Sequence, residues 1–135
     1  MDLTSKLSSD WIASYGLIIV SAFLDSFAAY AVKDRLTKIG GLDFSTWAEF
    51  LRTTARFIES PVVILALFGF LVAPALWFFA LNRIQLSVGY LFLVSFHVLF
   101  ILTLSVFFLH EVITVRKILA ALFLVVSVFL VYEAP

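Results

Sequence analysis

Four long apolar stretches, joined mostly by links too short to fold on their own, leave this chain of 135 residues little choice of architecture. Crossing about 30 Å of hydrocarbon takes about 20 helical residues at a rise of about 1.5 Å each. Stretches of that length run from about Trp11 to Val32, Pro61 to Leu81, Leu86 to Leu109 and Ile113 to Tyr132. Only Asn82–Gln85 and His110–Glu111 separate the last three, so neighbouring helices must turn back on each other as antiparallel hairpins. Composition agrees: 64% of residues are hydrophobic and 13% charged, against roughly 45–50% apolar and about 25% charged in a soluble domain. The expected fold is all-α and integral to the membrane, one four-helix transmembrane domain filling residues 1–135. The polar opening, Met1 to Asp10, leads into a stretch too long for the core of a secretory signal, so the first helix is expected to remain in the protein.

The first connection, Lys33 to Ser60, is longer. It opens with a charged Lys33-Asp34-Arg35 turn and the Gly40-Gly41 pair, and then becomes helical in pattern over about 46–59. Thr46 and Glu49 have capping-box spacing. Phe44, Trp47, Leu51, Thr54 and Ile58 recur at helical spacing opposite Glu49, Arg52, Thr53 and Arg56. An amphipathic helix lying in the membrane interface accounts for this; a solvated connector with one aromatic side is the plainer alternative. Ser60-Pro61 ends the segment and starts the second span, with proline at a position where its missing N–H costs nothing. Of the nine lysines and arginines, Lys33, Arg35, Lys38, Arg52, Arg56, Arg116 and Lys117 fall on one side of the membrane, and Lys6 and Arg83 on the other. The positive-inside rule then puts both termini outside the cytoplasm and the amphipathic segment on the cytoplasmic leaflet, where anionic headgroups favour Arg52 and Arg56. A bacterial inner (plasma) membrane is the expected location.

The formal charge is zero, which gives no basic field for nucleic acid. Cysteine is absent, so disulfides and thiolate metal sites are excluded. No nucleophile–base set, paired carboxylates, zinc motif, P-loop or dinucleotide fingerprint occurs; no enzyme activity, metal or cofactor is expected.

Asp25 carries the strongest functional signal. It lies eight residues before Lys33, about 12 Å into the first span, and is the only charged residue there. A carboxylate at that depth costs about 2.5 kcal/mol or more and normally faces a cavity or a partner. Ser21, Ala22, Ala28 and Ala29 share its face, small enough for close helix approach or a watery cavity. A structural hydrogen bond to a neighbouring helix is the alternative. In the third span Tyr90 and His97, seven apart and near Ser87 and Val94, lie on one face and fit either the same cavity or a polar contact within the bundle. His110-Glu111, with Arg116 and Lys117 close by, marks a hairpin turn, either functional or merely solvated. Gly69, Ala73 and Pro74 give the second span a small-residue face and a kink.

The run Ala75 to Tyr90 (ALWFFALNRIQLSVGY) resembles the second-to-third helix junction of the small multidrug resistance branch of the drug/metabolite transporter superfamily. Phe108 to Glu111 (FLHE), followed by Thr114, Val115 and Arg116, is similar to the close of the two small subunits that flip aminoarabinose-phosphoundecaprenol. Two glycines seven apart pack the last helix of that family; Ala120 and Ser127 hold those places here. The family acid of the drug exporters stands eight before a lysine, as Asp25 stands before Lys33, but there it is glutamate, and a tryptophan follows the tyrosine by three, where this chain has Leu93. The resemblance covers about 100 residues.

It implies a translocator without enzymatic activity. The first expectation is movement of a polyprenyl-phosphate-linked sugar or similar amphipathic lipid, its headgroup passing Asp25, Tyr90, His97 and Ser87, with Arg52, Arg56 and Lys33 meeting the phosphate through their charge and, for arginine, planar paired donors. Proton-coupled export of organic or polyamine cations through Asp25 is the second. A non-transporting scaffold subunit is the third. Four helices make a thin wall around a cavity, so a homodimer or a heterodimer with an oppositely inserted partner is expected.

Overall fold

The computed structural model describes residues 3–41 and 44–131, with side chains over 12–41 and 44–130. These residues form five helices: α1 Leu3–Ile39, α2 Trp47–Ile58, α3 Pro61–Leu81, α4 Leu86–Leu109 and α5 Val115–Val131. Three segments are long and apolar enough to cross a membrane, namely Ile12–Ile39, Pro61–Leu81 and Leu86–Leu109. The expected end of the fourth stretch, Tyr132, lies outside the described residues, as do Met1 and Asp2 of the polar opening.

The bounds of α3 and α4 fall where Pro61 and the polar link at residues 82–85 put them. Helix α1 does not stop at Val32. The expected turn at Lys33-Asp34-Arg35 is helical instead, and the helix runs 37 residues, about 55 Å at the standard rise. Lysine, arginine and leucine are good helix formers, and Lys38 pairs with Asp34 one turn earlier at 2.6 Å. The stop comes at glycine: Gly40 and Gly41 have φ of 80° and 91°, and the Gly41 N–H returns to the Leu36 carbonyl at 2.8 Å. Only residues without a side chain take two such angles cheaply.

Helix α1 is the axis of the molecule, packing along α3 and α4 and touching α2. Its contact with α3 is made of small residues: Ser21, Ala22, Ala28 and Ala31 face Ala66, Gly69 and Ala73, all buried. Ser21 Oγ donates to the Ala73 carbonyl across this seam at 2.7 Å. Ile18, Ala80 and Ile84 form a second knot, surrounded by Trp77, Phe92 and Leu93. Helix α5 packs on α4 alone, tied by Ser95 Oγ donating to the Leu124 carbonyl at 3.2 Å.

Helix α2 buries none of its residues. Thr46 caps it, its hydroxyl accepting from the Glu49 N–H at 3.2 Å. Phe44, Trp47, Leu51 and Ile58 lie open on its apolar side, Trp47 at 72% exposure. At the other end the Arg35 guanidinium of α1 donates to the Arg56 carbonyl, a cation on the carbonyl-rich end of a helix.

Candidate functional site

Asp25 and His97 come from helices that meet only because α1 runs down the centre. His97 Nδ1 is 3.1 Å from Asp25 Oδ2, the two side chains 32% and 41% exposed. The same nitrogen lies 3.2 Å from Ser26 Oγ. Ser26 is fully buried, and its hydroxyl has one proton to give: the Ala22 carbonyl stands at 2.6 Å and the His97 carbonyl at 3.2 Å. The Ser26 oxygen is therefore an acceptor toward the ring. Nδ1 thus stands between two acceptors, Asp25 Oδ2 and Ser26 Oγ, and donates as an N–H. Among the described residues no other acid or base lies in the apolar parts of α1, α3 and α4, tyrosines aside. The bundle thus holds one titratable pair, at a depth where an unpaired carboxylate is costly.

A cavity of about 150 Å³ opens beside Asp25, lined by Ser21, Ala73, Pro74, Trp77 and Leu93. Its small α1–α3 residues leave the room, and Trp77 forms the wall. That ring is pinned from behind: a Cβ built on Gly89 would stand 3.2 Å from it, so glycine at this position lets the indole lie flat against α4.

The other expected residues divide. Tyr90 is 57% exposed and reaches the cavity only through Trp77, ring to ring at 6.3 Å. Ser87 is exposed at the start of α4. Neither touches the Asp25–His97 pair. Arg52 pairs with Glu49 at 3.3 Å, while Arg56, Lys33 and Arg116 have side chains with no ion pair among the described residues. His110 ends α4 in the left-handed conformation, φ 52°, and Glu111 stands 3.8 Å from Lys117. Gly69 and Ala73 are buried against α1, Ala120 is exposed, and Ser127 donates within its own helix to Leu124 at 2.7 Å. Ser26 and Trp77 went unread in the sequence; a serine beside the only spanning acid, and the one tryptophan of the second span, were the available signals.

Larger apolar grooves flank the bundle. One of about 430 Å³ lies between α4 and α5, lined by Phe92, Phe96 and Phe129 among others. Another of about 380 Å³ lies between α1 and α3, with Phe23, Phe27 and Phe68.

A polar pair thus sits inside an apolar helical bundle with a cavity beside it. Comparison with known families supplies the assignment: the model of the EamA-like transporter family matches residues 2–133, nearly the whole chain. No curated protein and no solved structure matches it. The chain belongs to the EamA-like transporter family, within the drug/metabolite transporter superfamily, and is an integral membrane transporter.

Proposed function

We propose that the chain translocates an amphipathic lipid, such as a polyprenyl-phosphate-linked sugar, with the headgroup passing Asp25 and His97 while the tail stays in the bilayer. The observation that carries this reading is that Asp25 is paired: with His97 at 3.1 Å, the site offers a polar headgroup both a donor and an acceptor. Grooves lined with phenylalanine between α1 and α3 and between α4 and α5 suit the tail. The open apolar side of α2, with Arg52 and Arg56 exposed beside it, suits a helix lying in the interface that meets a lipid phosphate.

In this reading α5 is the fourth span, since its 17 described residues stand at the short limit of about 17–25 for a crossing helix. The basic loops face the cytoplasm of a bacterial inner membrane and both termini face away. The likeness to the small multidrug resistance branch, and in the second half to the aminoarabinose-lipid flippase subunits, points the same way. A dimer, with itself or with an oppositely inserted partner, would complete the thin wall, Ala120 and Ser127 lying on the helix left free to pair.

The test is reconstitution in vesicles with a headgroup-labelled polyprenyl phosphate. Wild type should expose label to an external quencher faster than empty vesicles, and Arg52→Ala/Arg56→Ala should lose lipid association. Lipid binding that survives the double change would remove the role given to α2. The 41% exposure of Asp25 favours a second reading, proton-coupled cation export. Proton-driven uptake of an organic cation that Asp25→Asn abolishes, without lipid movement, would replace the first. A chain inactive toward both would be a scaffold.

A further inference from the structure

A second built cavity lies away from the Asp25–His97 pair, at the end of the bundle that carries the basic loops. It occupies about 310 Å³ between α1 and α4, and Lys33, Tyr30, Ser105 and Glu111 line it together with Ile101 and Leu104. Small-molecule sites begin at about 300 Å³, so this one is the size of a headgroup rather than of a whole lipid.

Its polar groups are unspent. Among the described residues the Lys33 ammonium has no ion pair or hydrogen bond, and the Tyr30 and Ser105 hydroxyls have no protein partner. Glu111 has only Lys117, at 3.8 Å, beyond hydrogen-bond distance, so its carboxylate keeps its acceptor capacity. One cavity therefore presents a free cation and a hydroxyl from α1, Lys33 and Tyr30, and a hydroxyl and a carboxylate from the end of α4, Ser105 and Glu111. A simple anion would meet Lys33 and be repelled by Glu111; a simple cation would meet the reverse. A headgroup with a phosphate and a protonated primary amine satisfies both, since the phosphate accepts from Lys33 and the Tyr30 hydroxyl while the ammonium donates to Glu111 and can donate to the Ser105 hydroxyl oxygen. The remaining wall, Ile101 and Leu104, continues onto the membrane-facing side of α4, where Phe107 and Phe108 are exposed.

We infer that this cavity binds the headgroup of a phospholipid bearing a primary amine, of the phosphoethanolamine type, as a resident lipid independent of the transported substrate. The purified protein, delipidated in mild detergent, would be loaded in turn with phosphatidylethanolamine, phosphatidylcholine and phosphatidylglycerol of matched chains and weighed by native mass spectrometry. Phosphatidylethanolamine should be retained about tenfold better than either of the others, because trimethylation removes the N–H donors and glycerol removes the charge. Lys33→Gln and Glu111→Gln should each abolish that preference, Lys117→Gln should keep it, and the exchange Lys33→Glu/Glu111→Lys should restore part of it. Equal retention of the three lipids by the wild type, or an unchanged preference in Lys33→Gln and Glu111→Gln, would overturn the site. If free phosphoethanolamine displaces the lipid at comparable concentration, the headgroup chemistry stands and the lipid assignment falls. Lys33 and Glu111 both reach the surface, so loss of fold is not expected; an unaltered helical circular dichroism spectrum is the control.

Discussion

Asp25 and His97 share one contact, so their substitutions should not add. Asp25→Asn and His97→Gln are each expected to lower transport, because each removes one half of the 3.1 Å contact. The double substitution should be no worse than the worse single one. Additive losses would show that the two act separately. Ser26→Ala keeps the pair but removes its buried acceptor, and should lower transport less than either. Glycines give a second residue-scale test. At Gly69 a methyl group would meet its nearest neighbour at 3.6 Å, an ordinary contact, whereas at Gly89 it would meet the Trp77 ring at 3.2 Å. Gly69→Ala should leave melting temperature and transport unchanged or slightly raised, since alanine favours helix by up to about 1 kcal/mol. Gly89→Ala should push the indole into the cavity and lower transport with the fold intact. The depth of Asp25 was legible in the sequence, because burial of a charge reads directly from its distance to the nearest polar end. Its partner was not. Tyr90 and His97 share a face of α4, yet only His97 reaches Asp25, because the rotation of α1 against α4 is set by packing that neither helix encodes alone.

Among the elements, α2 is the one whose surroundings are incomplete. Its capping by Thr46 and its start and stop follow from local chemistry, which is why Trp47–Ile58 falls within the expected 46–59. What local pattern did not reveal is its anchor, Arg35, because that residue was expected in a turn. The helix formers after Val32 and the Asp34–Lys38 pair carry α1 on to Gly40, and this extension delivers Arg35 to the end of α2. Arg35→Ala should therefore speed amide exchange throughout α2 while α3 and α4 stay protected, at a cost of about 0.3–1 kcal/mol, the usual value of a cation at a helix C-terminus. Unchanged exchange in α2 would mean that its apolar side alone holds it in place.

For the whole molecule, the absence of native cysteine makes topology directly readable, since any introduced thiol is the only one. Lys38→Cys and Thr114→Cys should react with an impermeant maleimide from one side of an oriented membrane and Asn82→Cys from the other. A small tag after Pro135 should be reached from the Asn82 side if α5 crosses, and from the Thr114 side if it does not. The second result would leave three spans and remove the four-helix bundle. The bundle's core has little large side-chain packing: its tightest seam is serine, alanine and glycine. Close backbone approach holds it together, so Ala66→Leu should separate α1 from α3 at a cost of about 1–3 kcal/mol and appear as a lower melting temperature in detergent.

The pairing of Asp25 with His97 also has a history in time. His97 follows Ser26 by 71 residues, about 4–14 s of synthesis at about 5–20 residues per second. Throughout that interval the newborn first helix must enter the bilayer with its acid unmatched, against about 2.5–3.5 kcal/mol for an ionised carboxylate at mid-span. Until α4 is made the acid has no partner from that helix, so the order of synthesis makes α4 the element that completes a site α1 has only begun.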